Sequence, residues 1–353
     1  MRIFHVITLS SVGGAQSVVV NLANAQVENN EVWVISSDSK EAWKALKPEV
    51  KVIGIPQLKR AISALDAIVL AKLIYYRIKY CPDVVHLHSS KIGALGRIAF
   101  NPRKTIYTVH GFDSIRIANR SFLPIEKVLK NRCAKIVGVS EYDKKNLKAE
   151  GISKHVVSIY NGIMDYSLQS EEVAPKMKEK FETIKQQYAK IVMCIARDAS
   201  PKRMDLFLKV AEQLPQYAFV WIGNTKEHNA GENVFLLGQI PMACLLLKYA
   251  DILMLFSNFE GLPMSVIEAL SFGKPVIASK VGGIPELLDG HNGYAVDNEV
   301  EEIVPKIQMV LENTERYSEL SVQARRTYVE KFTVNKMLQG YEQVYEEIVR
   351  HKG

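Results

Sequence analysis

Two glutamates separated by seven residues flank the start of a predicted helix in the second half of the chain. Glu260 precedes that helix and Glu268 lies inside it. Glycine permits a tight turn and proline suits a first helical turn, so the free N–H groups of the intervening segment predict an anion site for a phosphate. That segment consists of Gly261, Leu262, Pro263 and Met264.

The two carboxylates limit which phosphate compound could bind there. A carboxylate beside a phosphate repels it, so we expect Glu260 and Glu268 to accept hydrogen bonds from hydroxyl groups. A ligand that has phosphates in its middle and hydroxyls at both ends is a nucleotide sugar. The alternative is a solvated helix that carries two ordinary glutamates.

A second group of candidate residues is cationic. Arg197, Lys202 and Arg203 follow a predicted buried strand and precede a helix that begins near Asp205. Cations at the carboxyl end of a parallel strand are well placed to neutralise a diphosphate. An exposed loop rich in lysine and arginine is the alternative.

Two weaker candidates lie in the first half of the chain. Gly13 and Gly14 separate the first strand from the first helix, where backbone can approach a ligand closely. The Gly-x-Gly-x-x-Gly dinucleotide fingerprint is absent, which disfavours a dehydrogenase. His110 follows another strand and is a candidate for either a structural or a catalytic role, whereas His86 and His88 are favoured as structural residues.

The elements that must position these residues alternate between apolar strands and helices, which predicts an α/β fold of parallel sheets covered on both faces. The strands predicted in the first half are Ile3–Thr8, Glu31–Ser36, Val50–Ile53, Val84–His88, Thr105–Val109 and Lys135–Val139. Those predicted in the second half are Ile191–Ala196, Ala218–Ile222, Val234–Leu237, Ile252–Phe256 and Pro275–Ala278.

Two Rossmann-like domains are predicted, comprising residues 1–165 and 166–333. The polar segment Ser167–Lys190 separates the two series of strands. Open parallel sheets bind ligands at the carboxyl ends of their strands, so we expect the two sites to face each other across a cleft. The terminal segment, residues 334–353, has helical periodicity and is expected to pack on the first domain.

The composition indicates a globular protein. The chain has 353 residues, of which 48% are apolar and 24% are charged. Its four scattered cysteines form no Cys-x-x-Cys pair, which predicts reduced thiols, a cytoplasmic location and no metal site. The first apolar run is too short for a signal peptide, and Ala61–Tyr76 is too short for a membrane span.

Charge is distributed unevenly along the chain. Residues 1–165 carry a net charge of +11 and the remainder carries −4. A basic first half suggests an anionic partner, and an anionic membrane surface ranks above nucleic acid because no nucleic-acid module is recognisable. A contribution to solubility alone is the other interpretation. The cations expected to meet a membrane are Lys59, Arg60, Arg103, Lys104, Arg116, Arg120, Lys127, Lys130 and Arg132.

These motifs together resemble family 4 of the retaining glycosyltransferases, which have the GT-B fold and include bacterial polysaccharide and glycolipid enzymes. The resemblance covers most of the chain. It rests on Ser-x-Gly-Gly-Ala, His-Gly, Val-Ser at 139–140, Asn-Gly-Ile at 161–163, Arg-x4-Lys at 197 and 202, Glu-x7-Glu ending in Gly-Lys-Pro-Val-Ile-Ala, and Val281–Glu286. Lys202-Arg203 departs from the Lys-Gly that is frequent in the family.

The resemblance implies a role for each candidate. Arg197 and Lys202 would bind the donor diphosphate, Glu260 the transferred sugar and Glu268 the ribose. His110 would lie close to the sugar, and Gly13 and Gly14 would close over the phosphates. The segment with Gln239 and Ile240 would meet the base, and backbone N–H groups at Gly261–Met264 would contact sugar and diphosphate.

The implied activity is retaining transfer of a hexose or N-acetylhexosamine to a hydroxyl of a glycan or lipid-linked acceptor, without a metal or other cofactor. A UDP-sugar is the favoured donor and GDP-mannose the next. The implied location is cytoplasmic, with peripheral attachment to the inner face of the membrane. The alternatives are a nucleotide-binding subunit without activity, a GT-B epimerase and a phosphorylase.

Overall fold

A computed structural model describes residues 1–11, 13–38, 41–169 and 173–350. The chain divides into two compact units. The N-terminal unit comprises residues 1–163 together with the terminal helix, and the C-terminal unit comprises residues 164–333. Each unit contains one parallel sheet with helices, which confirms the predicted α/β class and the two Rossmann-like folds.

The N-terminal unit contains a seven-stranded parallel sheet in the order β3-β2-β1-β4-β5-β6-β7. Its central strands are buried along their whole length, as expected for strands covered on both faces. The strands are β1 Arg2–Ile7, β2 Glu31–Ser36, β3 Lys51–Gly54, β4 Val84–His88, β5 Thr105–Val109, β6 Lys135–Gly138 and β7 Val156–Ser158. The helices are α1 Gly14–Gln26, α2 Leu65–Tyr80, α3 Ser90–Ala99, α4 Asp113–Arg116, α5 Leu123–Leu129 and α6 Glu141–Ala149.

The C-terminal unit contains a six-stranded parallel sheet in the order β10-β9-β8-β11-β12-β13. Its strands are β8 Ile191–Ile195, β9 Ala218–Ile222, β10 Val234–Leu236, β11 Ile252–Leu255, β12 Val276–Ser279 and β13 Gly293–Val296. Its helices are α7 Pro175–Gln187, α8 Met204–Gln213, α9 Met264–Ser271, α10 Ile284–Leu287, α11 Val300–Glu312 and α12 Thr314–Lys331.

The terminal helix, α13 Val334–Arg350, packs on the N-terminal unit. Its buried residues recur at helical spacing and include Met337, Tyr341 and Tyr345. The Tyr345 hydroxyl lies 2.7 Å from Nδ1 of His86 on β4. The helix therefore contributes both apolar and polar contacts to the layer that covers one face of the first sheet.

The structure contains two strands that were not predicted, β7 and β13. Only Val156 and Val157 are apolar in β7, and β13 begins at Gly293. Helix α5 is short, since a 3-10 turn at Arg120–Phe122 precedes it and the helix ends at Leu129. In the described ranges, no helix has the length and apolar character needed to cross a membrane.

Candidate functional site

The two motifs of the C-terminal unit are joined through backbone hydrogen bonds. Lys202 and Ser257 form an isolated antiparallel bridge. The Arg203 N–H donates to the carbonyl of Phe256 at 2.9 Å, and the Asn258 N–H donates to the carbonyl of Pro201 at 2.9 Å. The loop after β8 is thus fixed against the loop after β11, at the carboxyl ends of neighbouring strands.

This pairing brings Lys202 and Glu260 into contact, although 58 positions separate them in sequence. The Lys202 ammonium forms an ion pair with Oε1 of Glu260, and both side chains are mostly buried. The Ser257 hydroxyl also donates to this oxygen, at 2.5 Å. The carboxylate is therefore held by two donors, which fixes its orientation.

The neighbouring arginines differ from each other. Arg197 is exposed, and its guanidinium has no ion pair among the described residues. Arg203 makes a two-pronged contact with Asp205, from Nε at 2.8 Å and from Nη2 at 2.7 Å. We infer that Arg197 is available to an anionic ligand whereas Arg203 is already engaged.

Helix α9 begins at Met264, with Pro263 as its N-terminal cap. The predicted phosphate segment therefore lies directly before the first turn of the helix. Glu268 lies in the middle of α9, and burial raises the pKa of its carboxyl to about 7. This carboxyl changes its charge near neutral pH, which is unusual for a glutamate and typical of functional sites.

A glycine turn supports the loop that carries Glu260. Gly282 has a φ of +58°, and a Cβ placed there would lie 1.8 Å from the carbonyl oxygen of Glu260. The Gly283 N–H donates to the carbonyl of Gly261 at 2.9 Å. Only glycine fits this close approach of two backbones. The segment Val281–Glu286 is part of the family resemblance, but its sequence does not show that Gly282 lies against Glu260.

Asp198 also belongs to this site, although no sequence motif indicates it. It accepts hydrogen bonds from the Thr225 hydroxyl at 2.9 Å and from the Lys226 N–H at 3.0 Å, and it lies 3.2 Å from Nε2 of His228. Although burial opposes ionisation, these contacts lower the pKa of Asp198 to about 2. A fixed charge thus ties the Arg197 loop to the segment after β9.

The segment predicted to meet the base follows β10. The Gly238 N–H donates to Oδ1 of Asn224 at 2.8 Å, and the Gly238 carbonyl accepts from the Gly223 N–H at 2.7 Å. Gln239 is exposed and Ile240 is partly buried. This segment is therefore anchored at the carboxyl end of β9, while Gln239 remains accessible.

In the N-terminal unit, Gly13 caps helix α1 and Gly14 is its first residue. Gly13 has an extended backbone with φ of 178°, which other residues also adopt. A Cβ at Gly13 would approach the flexible side chain of Gln16, at 2.9 Å from Oε1. Its backbone geometry alone therefore does not require glycine.

His110 follows β5 and is partly buried. Its Nε2 lies 3.1 Å from Nδ1 of His88. Burial lowers the pKa of His110 to about 4, so the ring is neutral at physiological pH. His86 and His88 are completely buried and hydrogen-bonded, which agrees with the structural role favoured for them.

Three buried imidazoles, those of His5, His86 and His88, are close enough to be considered as a metal site, with ligand atoms within 4.8 Å of one another. Each of their ring nitrogens already has a hydrogen-bond partner. His5 contacts Gln26 and His88, and His86 lies between the hydroxyls of Thr108 and Tyr345. The donor set therefore suits a hydrogen-bonded network better than a metal.

Two family models match the chain and together span most of it. The model for glycosyl transferases group 1 matches residues 175–327, and that for Glycosyltransferase Family 4 matches residues 12–165. The chain belongs to the family 4 glycosyltransferases. It is an enzyme of the glycosyltransferase class, and the two matches correspond to its two units.

Individual relatives agree with this assignment. The O-antigen biosynthesis glycosyltransferase WbnH of Escherichia coli is 27% identical, with 98% of each chain covered. A UDP-Gal:alpha-D-GlcNAc-diphosphoundecaprenol alpha-1,3-galactosyltransferase of the same species is 25% identical, covering 100% of this chain and 98% of its own. The fold of Anabaena Alr3699/HepE in complex with UDP-glucose is similar, with a TM-score of 0.84, 20% identity and coverage of 98% and 100%.

Proposed function

We propose that this glycosyltransferase is a retaining, metal-independent enzyme of surface polysaccharide biosynthesis. It transfers a hexose or N-acetylhexosamine from a UDP-sugar to a hydroxyl of a glycan or lipid-linked acceptor. The observation that carries the proposal is the joined loop pair of the C-terminal unit, in which Lys202 contacts Glu260 and Arg197 has no ion pair with any residue that the structure describes.

The loop pair suits a sugar diphosphate because it offers cations and an oriented carboxylate together. Lys202 has three N–H donors, so it can contact a phosphate oxygen while it keeps Glu260 in place. Arg197 can add a second, forked contact to the diphosphate. Glu260, held by Lys202 and Ser257, can then accept a hydrogen bond from a sugar hydroxyl.

In the proposed reaction, the bond between the anomeric carbon and the diphosphate oxygen breaks early. The sugar becomes oxocarbenium-like, and negative charge grows on the departing UDP. Arg197, Lys202 and the N-terminus of α9 stabilise that charge, which is the task that a metal ion performs in other transferases. The acceptor hydroxyl attacks from the same face and gives its proton to the leaving phosphate.

Glu268 is proposed to bind the ribose hydroxyls. An ionised carboxylate accepts two such hydrogen bonds strongly on its two oxygens, whereas the protonated form has one oxygen occupied by a proton and accepts more weakly. Because burial raises its pKa to about 7, we expect nucleotide affinity to increase as the pH rises through neutrality. Gln239 and Ile240 are proposed to contact the base.

Three comparisons support a UDP-sugar in particular. The Escherichia coli galactosyltransferase is named for a UDP-galactose donor and a lipid diphosphate acceptor. Anabaena HepE was crystallised with UDP-glucose and also with UDP. GDP-mannose remains the second candidate donor.

Donor hydrolysis by the purified full chain tests the proposal across UDP-, GDP- and ADP-sugars, with and without a metal chelator. We expect one UDP-sugar to be hydrolysed in the presence of chelator. Lys202→Ala should lower its turnover on the order of 100-fold or more, because one stabilising donor is lost. Arg326→Ala is the matched control, because Arg326 forms an exposed ion pair with Glu330.

Three outcomes would contradict the proposal. If no donor in the panel is hydrolysed but UDP binds, the nucleotide-binding subunit without activity would be favoured. A change of configuration at one carbon of the donor sugar, without any acceptor product, would favour an epimerase. Loss of all turnover with chelator would contradict metal independence.

We further propose that helix α5 docks on an anionic phospholipid bilayer. Phe122, Ile125 and Val128 recur at helical spacing and are all exposed, Val128 by 78%. Exposed cations surround this apolar stripe, among them Arg120 and Arg132. Apolar insertion beside basic residues is the pattern of interfacial helices, and each cation near an anionic surface contributes about 1 kcal/mol.

Vesicle flotation tests this docking surface. We expect binding to vesicles that contain phosphatidylglycerol and little binding to pure phosphatidylcholine, with weaker binding after Val128→Ser. Val322→Ser is the matched control, because Val322 is an exposed valine of the C-terminal unit. Equal binding to both vesicle types would refute the docking surface. An equal loss of vesicle binding in Val128→Ser and Val322→Ser would also refute it.

A further inference from the structure

A row of hydrogen-bonded imidazoles crosses the sheet of the N-terminal unit and ends at His110. Nδ1 of His5 lies 3.1 Å from Nε2 of His88, and Nδ1 of His88 lies 3.1 Å from Nε2 of His110. At its inner end, Nε2 of His5 lies 2.7 Å from Oε1 of Gln26, the last residue of α1. We call these four residues the histidine row.

Strand register explains why the row runs diagonally. His5 on β1 is opposite His86 on β4, and His88 is two residues further along on the same face. His88 is opposite Thr108 on β5, and His110 is again two residues further along. Each step thus moves towards the carboxyl ends of the strands, where ligands of parallel sheets bind.

Each ring of the row is neutral. Burial lowers the pKa of His5 to about 4, and burial together with the neighbouring imidazoles lowers the pKa of His88 well below its ordinary value. A neutral imidazole carries one proton, so one ring nitrogen donates and the other accepts. The direction of one hydrogen bond in the row therefore determines the direction of all the others.

Gln26 provides that direction. In the orientation that places its Oε1 against His5, Gln26 accepts, so Nε2 of His5 carries the proton and Nδ1 of His5 accepts from His88. Nδ1 of His88 then accepts from Nε2 of His110. The single proton of His110 is thus on Nε2, and its Nδ1 is an acceptor.

Nδ1 of His110 is itself out of contact with solvent and has no hydrogen-bond partner among the described residues. A buried acceptor without a partner is unfavourable, and a ligand hydroxyl that donates to it removes this cost. Binding of a ligand hydroxyl would therefore explain why Nδ1 of His110 is buried without a partner among the described residues.

We propose that Gln26, His5 and His88 are positioning residues that fix His110 as an acceptor at Nδ1 for a hydroxyl of a substrate. This inference rests on the proposed function for its ligand, whereas the tautomer of His110 is a property of the chain alone.

Nitrogen NMR of the full chain labelled with 15N-histidine tests the row without any substrate. The signals of His110 are identified by their loss in His110→Asn. In the wild type we expect the shift of an unprotonated nitrogen at Nδ1 and of a protonated one at Nε2. Gln26→Leu should bring both shifts towards intermediate values, because the row is then free to reverse.

Two further variants control for structural damage. Gln26→Glu retains an acceptor and should restore the wild-type shifts of His110. Tyr341→Phe removes a buried hydroxyl that contacts Thr108, at 3.0 Å, in the same layer and should leave them unchanged. A proton at Nδ1 in the wild type, or unchanged shifts in Gln26→Leu, would overturn the inference. The wild-type spectrum and Gln26→Glu decide it even if Gln26→Leu does not fold.

Kinetics of donor hydrolysis and of transfer to an acceptor then tests the contact with a substrate hydroxyl. We expect Gln26→Leu to raise the KM of one substrate about fivefold, the effect of weakening one hydrogen bond, with a smaller change in kcat. Tyr341→Phe should leave both KM values unchanged. A shifted tautomer with unchanged KM values for donor and acceptor would overturn the contact with a substrate. If the wild type hydrolyses no donor, the proposed function fails while the NMR result still decides the row.

Discussion

Replacing Glu268 by glutamine separates the cost of burying this carboxyl from its proposed role in nucleotide binding. Burial raises its pKa from 4.5 to about 7. One pKa unit corresponds to about 1.4 kcal/mol, so ionising Glu268 in the folded state costs up to about 3 kcal/mol more than in the unfolded state. The side chain keeps some contact with water, so we expect about 2 kcal/mol.

The pH dependence follows from the direction of this shift. Between pH 4.5 and about pH 7, the carboxyl is ionised in the unfolded chain and protonated in the folded one. The free energy of unfolding therefore falls as the pH rises through this range and is constant beyond it. Glutamine does not titrate, so Glu268→Gln should be more stable than the wild type by about 2 kcal/mol at pH 8 and similar to it near pH 4.5.

Urea unfolding at pH 5 and pH 8, followed by circular dichroism, measures this difference. Glu182→Gln, on the exposed side of α7, is the matched control and should show no such dependence on pH. Calorimetry at pH 8 should show that Glu268→Gln binds UDP about tenfold more weakly, because hydrogen bonds to a charged acceptor are lost. A variant that gains stability and loses affinity is expected when a carboxylate is kept for function.

Two results would refute this reasoning. A stability difference of the same size at both pH values would mean that ionisation of Glu268 is not disfavoured in the folded state. Unchanged UDP affinity in Glu268→Gln would contradict the ribose role while leaving the stability argument intact.

Three further predictions concern stability and accessibility. Gly282→Ala should lower the free energy of unfolding by about 1–3 kcal/mol more than Gly290→Ala, because both glycines have positive φ but a Cβ at Gly290 meets nothing within 4 Å; equal losses by urea unfolding would refute the clash. Glu126→Ala should cost about 3–5 kcal/mol, because it leaves the buried guanidinium of Arg97 without its ion pair at 2.6 Å; a loss below about 1 kcal/mol would contradict this. A thiol reagent should modify Cys81 rapidly in the native protein and the three buried cysteines only on unfolding, and rapid modification of all four would contradict the burial.

Strand positions were readable from the sequence because buried parallel strands are continuous apolar runs. Glu31–Ser36, Val84–His88 and Thr105–Val109 were predicted with the ends that the structure gives them. β7 and β13 were missed for a local reason. β7 has only two apolar residues before Ser158, and β13 begins at Gly293, so neither presents the continuous apolar run by which the equally short β10 was predicted.

The sequence by itself also indicated the residue types of the candidate site, since Glu-x7-Glu and Arg-x4-Lys are local patterns. It could not indicate that Lys202 and Ser257 hold Glu260, because that contact depends on the adjacency of β8 and β11 in the sheet. Local spacing determines which groups lie on one loop, whereas strand order determines which loops meet.

The contacts of the histidine row also depend on strand order and not on spacing in the sequence. His5 and His88 are separated by 83 positions, and no spacing in the sequence relates either of them to Gln26. Their contact follows from strand order and from the register of β1, β4 and β5, which places alternate residues of adjacent strands on one face. The sequence determined that these histidines lie in apolar strands, and only the tertiary structure decided that their ring nitrogens come within hydrogen-bonding distance.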